Sequence, residues 1–367
     1  MKKIIFIESG FGNPNNVKRM EEFNSRGYDV EAYAFNRGVV TKNIPKGITI
    51  HEISGFSSES SYLSRVGILR KGISDIIKKH RKEDCIYYLF GGDVALSFPA
   101  ASSLSYIFEE ADMTHQNIKN SLLRDYLECR IKRIIKKSVI STFCSEGFLQ
   151  FHFGDNRPDN VTVIPNRLHP DVLKLNMPEQ RQFDDDCIQF GFVGAIRYQT
   201  IYSFAAKLLK NFPQHQIHFF GNFALKSTEE HFSKLSSYPN CHFHGPFKSP
   251  VDLPGIYSQI DVVLSAYDVR GINPRYAEPN KLYEAIYFEK PIIVSSNSFL
   301  ADKVERLGIG YAVDALNEDE VVALVKSIDG KSIEEKKINI KKIDKKDCIN
   351  SNEEFFTLLE KKLLKTK

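Results

Sequence analysis

The chain has 367 residues, of which 42% are hydrophobic and 26% are charged, and this ordinary globular composition excludes a disordered or a fibrous protein. Its length suits two domains that each bury a core of their own. The formal net charge of +4 is small for a nucleic-acid-binding protein, and no run of 18 apolar residues predicts a membrane span.

Short apolar runs alternate with amphipathic segments through the first half of the chain. The amphipathic segments predict helices at 15–26, 62–82 and 117–137. The apolar runs predict strands at 3–9, 28–35, 48–54, 85–92, 105–110, 138–143 and 161–166. Mostly apolar strands that alternate with helices indicate a parallel sheet covered on both faces.

The same alternation begins again after a polar stretch at 175–186, which predicts a linker. Three successive aspartates in this stretch are more typical of a solvated charged run than of a metal site. Further strands are predicted at 187–194, 216–222, 241–245, 261–267, 290–296 and 310–315. The second domain is therefore expected to be another open, doubly wound α/β sheet.

The overall prediction is an α/β fold with two Rossmann-like domains that face each other across a cleft. The N-terminal domain is predicted to span 1–174, the linker 175–186 and the C-terminal domain 187–346. A terminal helix in 347–367 is expected to pack on one of the domains, because leucines and phenylalanines recur there with helical spacing.

The six cysteines lie far apart in the sequence, without a CxxC pair or a cysteine–histidine cluster at zinc-ligand spacing. Reduced thiols in a cytoplasmic protein are therefore expected. The N-terminal MKKIIFIESGFG has only four apolar residues in succession, which favours a buried strand over a signal peptide.

Ligands bind at the carboxyl ends of parallel strands, so the turns that follow the strands are the candidate sites. Gly10 and Gly12 follow the first strand and would let the backbone approach a ligand closely, although a plain tight turn is an equal alternative. Arg197 follows the first strand of the second domain, where a guanidinium can hold a phosphate with two hydrogen bonds. Gly221 ends the next strand in the same way.

The segment EPNKLYEAIYFEKPIIVSS, 278–296, predicts a helix start next to an apolar strand. Pro279 suits the first helical position, which makes Glu278 the predicted N-cap. The amides of Asn280 and Lys281 would then point out of the helix start, where partial positive charge favours a phosphate.

The same helix would carry Leu282 on its buried face and Glu284 on the side of Lys281, one turn further on. A carboxylate in that position can accept hydrogen bonds from two ribose hydroxyls. An ordinary ion pair between Glu284 and Lys281 is the alternative.

Several of these segments together resemble the donor-binding half of GT-B-fold glycosyltransferases of family 4, the type that builds bacterial polysaccharides. The resemblance lies in DVVLSAY (261–267), EPNKLYEAIYFEKPIIVSS (278–296) and GIGYAV (308–313). The phrases VTVIPNR (161–167), GFVGAIR (191–197) and FEEADM (108–113) stand at the matching places of the family.

The resemblance implies transfer of a sugar from a nucleotide-diphosphate donor with retention at the anomeric carbon. It implies no required metal and no cofactor besides the donor substrate. The acceptor would be a saccharide or a lipid-linked oligosaccharide in surface polysaccharide synthesis of the capsular, exopolysaccharide or O-antigen type. Glu284 would be the ribose ligand, Arg197 and Lys281 would hold the diphosphate, and Gly10 to Gly12 would lie near the reacting centre.

The chain departs from the family pattern at two places. The family usually has two glutamates separated by seven residues, whereas the position eight before Glu284 is Tyr276 here, so the nearby Glu278 becomes the catalytic candidate. The usual arginine–lysine pair after the first strand of the second domain is reduced to Arg197. Asp112 in FEEADM is the candidate acceptor-side base.

Two histidines, His115 and His152, are further acid–base candidates, although a core or surface histidine is the preferred interpretation of each. Two basic helices of the first domain suit contact with the anionic inner face of the cell membrane, with solvated helix faces as the alternative. Their basic residues are Arg70, Lys71, Lys78, Lys79, Arg81 and Lys82 in one helix and Arg124, Arg130, Lys132, Arg133, Lys136 and Lys137 in the other.

Two other functions remain open at this point. A nucleotide-sugar epimerase on the same two-domain plan would act on the donor alone. A catalytically silent nucleotide-sugar-binding subunit would explain the absence of a carboxylate at Tyr276.

Overall fold

A computed structural model describes residues 2–10, 14–36, 45, 47–53, 55, 62–99 and 104–365. The chain divides into two compact units. Unit 1 comprises Met1–Pro165 and Asn352–Lys367, and unit 2 comprises Asn166–Ser351.

Unit 1 is built around a parallel sheet. Its strands are β1 (Lys3–Glu8), β2 (Asp29–Phe35), β3 (Thr49–Ile53), β4 (Cys85–Phe90), β5 (Tyr106–Glu110), β6 (Ile140–Phe143) and β7 (Val161–Val163). The helices that connect them are α1 (Pro14–Ser25), α2 (Tyr62–Lys79), α3 (Gly92–Ser97), α4 (Ser121–Lys137) and α5 (Glu146–Phe153), with a 3₁₀ turn at Thr114–Asn117. The central strands are mostly apolar because helices cover both faces of such a sheet.

Unit 2 repeats this plan. Its strands are β8 (Gln189–Val193), β9 (Gln216–Phe220), β10 (Cys241–Gly245), β11 (Val262–Ser265), β12 (Ile292–Ser295) and β13 (Gly310–Val313). Its helices are α6 (Gln199–Asn211), α7 (Lys226–Phe232), α8 (Leu253–Ser258), α9 (Ile272–Tyr276), α10 (Asn280–Tyr287), α11 (Phe299–Leu307), α12 (Glu318–Ser327) and α13 (Gly330–Lys341). Helix α14 (Glu353–Lys365) follows and returns to unit 1.

The strand order reverses once in each sheet. It is β3-β2-β1-β4-β5-β6-β7 in unit 1 and β10-β9-β8-β11-β12-β13 in unit 2. The connections that follow the two strands at the reversal leave in opposite directions, and this opens a crevice at the carboxyl ends of those strands. The crevice lies at β1 and β4 in unit 1 and at β8 and β11 in unit 2. The predicted pair of Rossmann-like α/β domains is confirmed.

The predicted domain boundaries change. Residues 166–174, assigned to the first domain, belong to unit 2, because Leu168 and Val172 are buried in its core and Leu168 pairs with Ile349. The stretch 175–186 is part of unit 2 rather than a separate linker. It is fastened there by Arg181, whose Nη1 lies 3.0 Å from Asp261 Oδ2, and by Asp185, which accepts a hydrogen bond from the amide of Gly330.

The terminal helix packs on unit 1, as part of its core. Phe355, Phe356 and Leu359 are at most 1% exposed, and both phenylalanine rings meet Phe23 edge to face. The last segment of the chain therefore completes the core of unit 1, although unit 2 separates it from the rest of unit 1 in the sequence. None of the helices in the described ranges is both long and apolar enough to cross a membrane.

Candidate active site

The strongest candidate site lies at the strand-order reversal of unit 2, where β8 and β11 are neighbours. The turns after β8 and β9 and the start of α10 meet at this carboxyl edge of the sheet. The connection after β11 is anchored there by side chains, because Thr200 donates to the carbonyl of Ala266 and Ser295 donates to the carbonyl of Tyr267.

Two glycines bring the backbones at the ends of β8 and β9 into close contact. Gly194 has φ of +131° and Gly221 has φ of +139°, a region that side-chain-bearing residues avoid. A Cβ on Gly221 would stand 2.0 Å from the carbonyl oxygen of Gly194. Gly221 is thus required by backbone packing, whether or not it also contacts the donor.

Lys281 on α10 reaches the same turn. A Cβ on Gly194 would stand 2.8 Å from Lys281 Nζ, so the missing side chain of this glycine makes room for the amine. Lys281 is 7% exposed, donates to the Tyr267 hydroxyl at 2.9 Å and lies 4.5 Å from the centre of the Phe192 ring. Within the described part of the chain it forms no ion pair, so its buried charge is complemented only by neutral groups.

Glu284 lies one turn further along α10 and is 8% exposed. Its Oε2 accepts a hydrogen bond from the Tyr257 hydroxyl at 2.6 Å. Burial, together with the nearby Glu284 carboxylate, raises the pKa of Tyr257 well above its usual value, so this phenol remains a donor across the physiological range. Tyr257 therefore fixes the orientation of the carboxylate.

The beginning of α10 differs by one residue from the prediction. The helix begins at Asn280 and its N-cap is Pro279, whereas Glu278 was predicted as the cap. Asn280 is exposed beside the helix start. Leu282 is 0% exposed in the core of unit 2, as the predicted buried face requires, so its side chain contributes to packing rather than to a polar ligand surface.

Arg197 is exposed after β8, and its guanidinium carbon lies 4.9 Å from the centre of the Tyr198 ring. That ring stacks on Tyr267 at 4.6 Å, the same tyrosine that accepts a hydrogen bond from Lys281. The two predicted phosphate-binding cations are thus connected through a pair of stacked tyrosines.

Glu278, the predicted catalytic carboxylate, is 2% exposed and already has two partners. Lys303 Nζ lies 2.6 Å from Oε1, and the Tyr283 hydroxyl donates to Oε2 at 3.0 Å. A carboxylate that is paired and buried in this way secures the connection before α10 to α11, and its catalytic role stays a prediction.

In unit 1, the corresponding edge follows β1. Gly10 follows this strand with only Ser9 between them, and Gly12 lies outside the described residues. Glu8, the last residue of β1, is 2% exposed and accepts a hydrogen bond from the Asn16 side chain. Burial raises the pKa of Glu8 to about 7, although the Asn16 amide works in the opposite direction.

Two successive glutamates end β5 and point to opposite faces of the sheet. Glu109 accepts a hydrogen bond from Arg19 Nε at 3.3 Å and another from the Tyr88 hydroxyl. Glu110 is 0% exposed and lies 2.6 Å from His152 Nε2. Asp112, the predicted acceptor-side base, is exposed two residues later, so it is the accessible carboxylate of this segment.

The two candidate histidines are buried in one network, which confirms the preferred interpretation of both as core residues. Glu128 on α4 joins them, since its Oε1 lies 2.7 Å from His152 Nδ1 and its Oε2 lies 2.8 Å from His115 Nε2. Burial opposes the charge of His152, but the carboxylates of Glu110 and Glu128 outweigh it and raise the pKa of His152 to about 9. His152 is therefore a cation at neutral pH.

Sequence reasoning missed the residues that hold the candidate site in place. Tyr257, Tyr267 and Lys303 come from separate elements and carry no local signal that pairs them with α10. Gly194 lies in GFVGAIR, and its position at the end of an apolar strand was a signal that could have predicted a close backbone approach there. Among the described residues, no group of three or more histidine, cysteine, aspartate or glutamate side chains is arranged to hold a metal ion.

Comparison with known families gives a match within the second unit. Residues 174–345 match the family model described as glycosyl transferases group 1. A comparison with curated protein sequences finds no significant match.

Solved structures of similar fold cover nearly the whole chain. An Anabaena protein, Alr3699/HepE, solved in complex with UDP-glucose has a TM-score of 0.68 and 11% identity over 100% of this chain and 99% of that one. WaaG, a glycosyltransferase involved in lipopolysaccharide biosynthesis, has a TM-score of 0.65 and 14% identity over 94% and 97%. A UDP-N-acetylglucosamine 2-epimerase has a TM-score of 0.57 and 11% identity over 92% and 91%. At these identities the likeness establishes the GT-B fold alone.

The close approach at Gly221 leads to a prediction about stability. Gly221→Ala would place a methyl group against the Gly194 carbonyl, so we expect a loss of at least about 3 kcal/mol in the free energy of unfolding. Gly255→Ala in α8 is the matched control, because nothing lies within 4 Å of its added Cβ and alanine favours a helix. Denaturant unfolding measures both, and a Gly221→Ala protein as stable as the control variant would contradict the packing described.

The His152 network leads to a prediction about pH. The pKa of His152 is higher in the folded chain than its ordinary value of 6.5, so its stabilisation is complete below pH 6.5 and is lost as pH rises through about 9. The loss amounts to roughly 3 kcal/mol. The groups around the imidazole are Glu110 on β5, Glu128 and Lys132 on α4, and His115 on the 3₁₀ turn.

The melting temperature at pH 6.5 and pH 9.5 checks this dependence. His152→Gln should lose most of the wild-type decrease between the two values, whereas His169→Gln, a partly exposed histidine of unit 2, should retain it. An equal decrease in the melting temperature of wild type and His152→Gln would show that protonation of His152 does not stabilise the folded chain.

Proposed function

Because residues 174–345 form a group 1 glycosyl transferase domain, we propose that the protein transfers a sugar from a nucleotide-diphosphate donor to a saccharide or lipid-linked saccharide. The observation that carries the proposal is Lys281, a buried amine without an ion-pair partner in the described part of the chain, at the strand-order reversal of unit 2. Such a position suits the diphosphate of a nucleotide sugar, and similar proteins include one solved with UDP-glucose.

Transfer requires stabilisation of the leaving diphosphate. As the bond from the sugar to the phosphate breaks, negative charge grows on the diphosphate oxygens. Lys281, Arg197 and the amides at the start of α10 can stabilise this charge more strongly in the transition state than in the bound donor. Gly194 and Gly221 would let the phosphates approach the backbone closely.

The remaining residues have separate proposed roles. Glu284, oriented by Tyr257, would accept the ribose hydroxyls. Glu278 would act as a positioning residue through its pairing with Lys303, and Asp112 and Gly10 of unit 1 would serve the acceptor side. We propose retention at the anomeric carbon and a reaction without a metal ion, with support from the family resemblance of the donor segment.

A donor-binding panel tests the assignment of the site. Purified chain with UDP-glucose, GDP-mannose and the free nucleotides should show a rise in melting temperature with at least one of them, because a ligand of the folded state stabilises it. Glu284→Ala should weaken that binding by about tenfold or more, since a hydrogen-bonded carboxylate is lost. Glu305→Ala, an exposed carboxylate of α11, should leave it unchanged.

Turnover separates this function from its two rivals. A transferase consumes donor only when a saccharide acceptor is present, and NMR of the product shows whether the anomeric configuration is retained. Conversion of the donor without acceptor indicates an epimerase, which the shared fold allows. Binding without any turnover indicates a silent subunit, and no binding by any nucleotide overturns the donor site.

We also propose peripheral contact of unit 1 with the cytoplasmic face of an anionic membrane, which would present a lipid-linked acceptor. Helix α4 exposes three apolar side chains near its start: Leu122 is 81%, Leu123 is 40% and Tyr126 is 57% exposed. Basic residues follow on the same helix, including Arg130 and Arg133. Exposed apolar groups beside cations are typical of helices that lie at a membrane surface, and WaaG provides a similar fold in lipopolysaccharide synthesis.

Vesicle flotation tests this contact. Leu122→Asp should reduce co-flotation with phosphatidylglycerol vesicles by about tenfold, because the apolar side chain no longer enters the bilayer. Leu173→Asp in unit 2 is the matched control, since Leu173 is 65% exposed and lies outside α4. Equal flotation of both variants would place the contact elsewhere or exclude it.

A further inference from the structure

Unit 1 has a pocket of about 400 Å³ that the proposed reaction does not use. It lies between α2, the end of α3 and α4. Its volume is within the range of pockets that hold small ligands. The lining residues are Arg70, Ser74, Ile77, Lys78, Leu96, Ser97, Phe98, Pro99 and Arg130.

The lining has two chemical parts. Ile77, Leu96 and Phe98 contribute apolar surface. Arg70 and Lys78 on α2 and Arg130 on α4 contribute three cations, and none of the described residues that line the pocket is acidic. Lys78 has one exposed ion-pair partner, Asp75, at 3.3 Å, which is a weak surface contact.

Helical spacing places the α2 residues along one side of the pocket. Arg70, Ser74, Ile77 and Lys78 follow one another at intervals of four, three and one residues, so they share a face of the helix. Eight residues of α-helix span about 12 Å, which separates Arg70 from Lys78 and leaves the apolar surface between them. This distance separates the backbone positions of the two cations, and their long side chains can both extend toward a phosphate that lies between those positions.

Two polar details indicate a built site. The Ser97 hydroxyl is buried without a hydrogen-bond partner among the described residues, and Ser97, at 6% exposed, lines the pocket. Buried hydroxyl groups normally have a partner. Arg130 is held in place because its Nη2 donates to the Leu96 carbonyl at 3.0 Å.

We propose that this pocket binds one anionic membrane lipid. Its apolar chain would lie on Ile77, Leu96 and Phe98, and its phosphate would lie among Arg70, Lys78 and Arg130, with the Ser97 hydroxyl as a further donor. An apolar surface with cations around it complements a molecule that joins a hydrocarbon chain to an anion. A free phosphate would contact only the cations, and a neutral lipid would contact only the apolar surface.

The site is separate from the donor site, and its assignment does not depend on transfer activity. The proposed contact of α4 with a membrane would only supply the lipid. The pocket would add a preference for one class of headgroup to this general attraction.

Isothermal titration calorimetry with lipids below their micelle concentration tests the proposal on the full chain. Dihexanoylphosphatidylglycerol should bind with one saturable site, at least tenfold more tightly than dihexanoylphosphatidylcholine. Inorganic phosphate at the same concentrations should neither bind measurably nor displace the lipid. Equal binding of the two lipids, or displacement by phosphate, overturns the lipid assignment.

Variants locate the binding in the pocket. Arg70→Glu should weaken phosphatidylglycerol binding at least tenfold, whereas Lys71→Glu, with the same charge change on the next residue of α2, should change it less than twofold. Ser97→Leu should abolish binding by occupying the pocket without any change in charge. Equal losses in Arg70→Glu and Lys71→Glu would show diffuse attraction instead of a site.

A folding control keeps these results interpretable. Arg70 is exposed, so its variant should keep the wild-type melting temperature and decides the proposal even if Ser97→Leu fails to fold. Both variants should keep the donor-induced rise in melting temperature, because neither residue lies in unit 2. Loss of lipid binding and loss of donor binding are therefore separate outcomes.

Discussion

The contact between the turns after β8 and β9 is the constraint on which the candidate donor site depends. The carbonyl of Gly194 occupies the position that a side chain at 221 would need, and the space beside Gly194 is filled by Lys281 Nζ. Glycine at 221 therefore lets the two turns approach each other, and glycine at 194 leaves room for the lysine amine at the end of the sheet. Its charge then lies at the strand-order reversal of unit 2, where parallel α/β sheets bind ligands.

Some buried charged side chains of this protein form ion pairs, whereas others contact neutral groups. Glu278 is neutralised by Lys303, and His152 is held between two carboxylates, so these groups stabilise the fold. Lys281 has hydroxyl and aromatic neighbours instead, and Glu284 is oriented by a phenol. A buried charge left without an opposite charge is costly, which is the reason to associate Lys281 with an anionic ligand.

Local patterns in the sequence predicted much of this correctly. Apolar runs located every strand from β1 to β13, and helical spacing placed Leu282 on the buried face of α10. The same spacing gave Lys281 and Glu284 as neighbours on one helix. It did not reveal the ion pair of Glu278, because the partner of this carboxylate, Lys303, is 25 residues away. The predicted domain boundaries also differ from the structure, because Leu168 and Phe355 pack in cores that are formed by distant segments of the chain.

The sequence by itself determined the two parallel α/β sheets and the turns at which ligands should bind, because apolar periodicity and glycine positions are local properties. Only the tertiary structure decided which of the described charged side chains have an opposite charge beside them and which do not. Glu278, Glu110 and His152 are buried with partners, whereas Lys281 is buried without an ion pair among the described residues. The physical reason is that the cost of burying a charge depends on groups brought together by folding, and their separation along the chain does not reveal them.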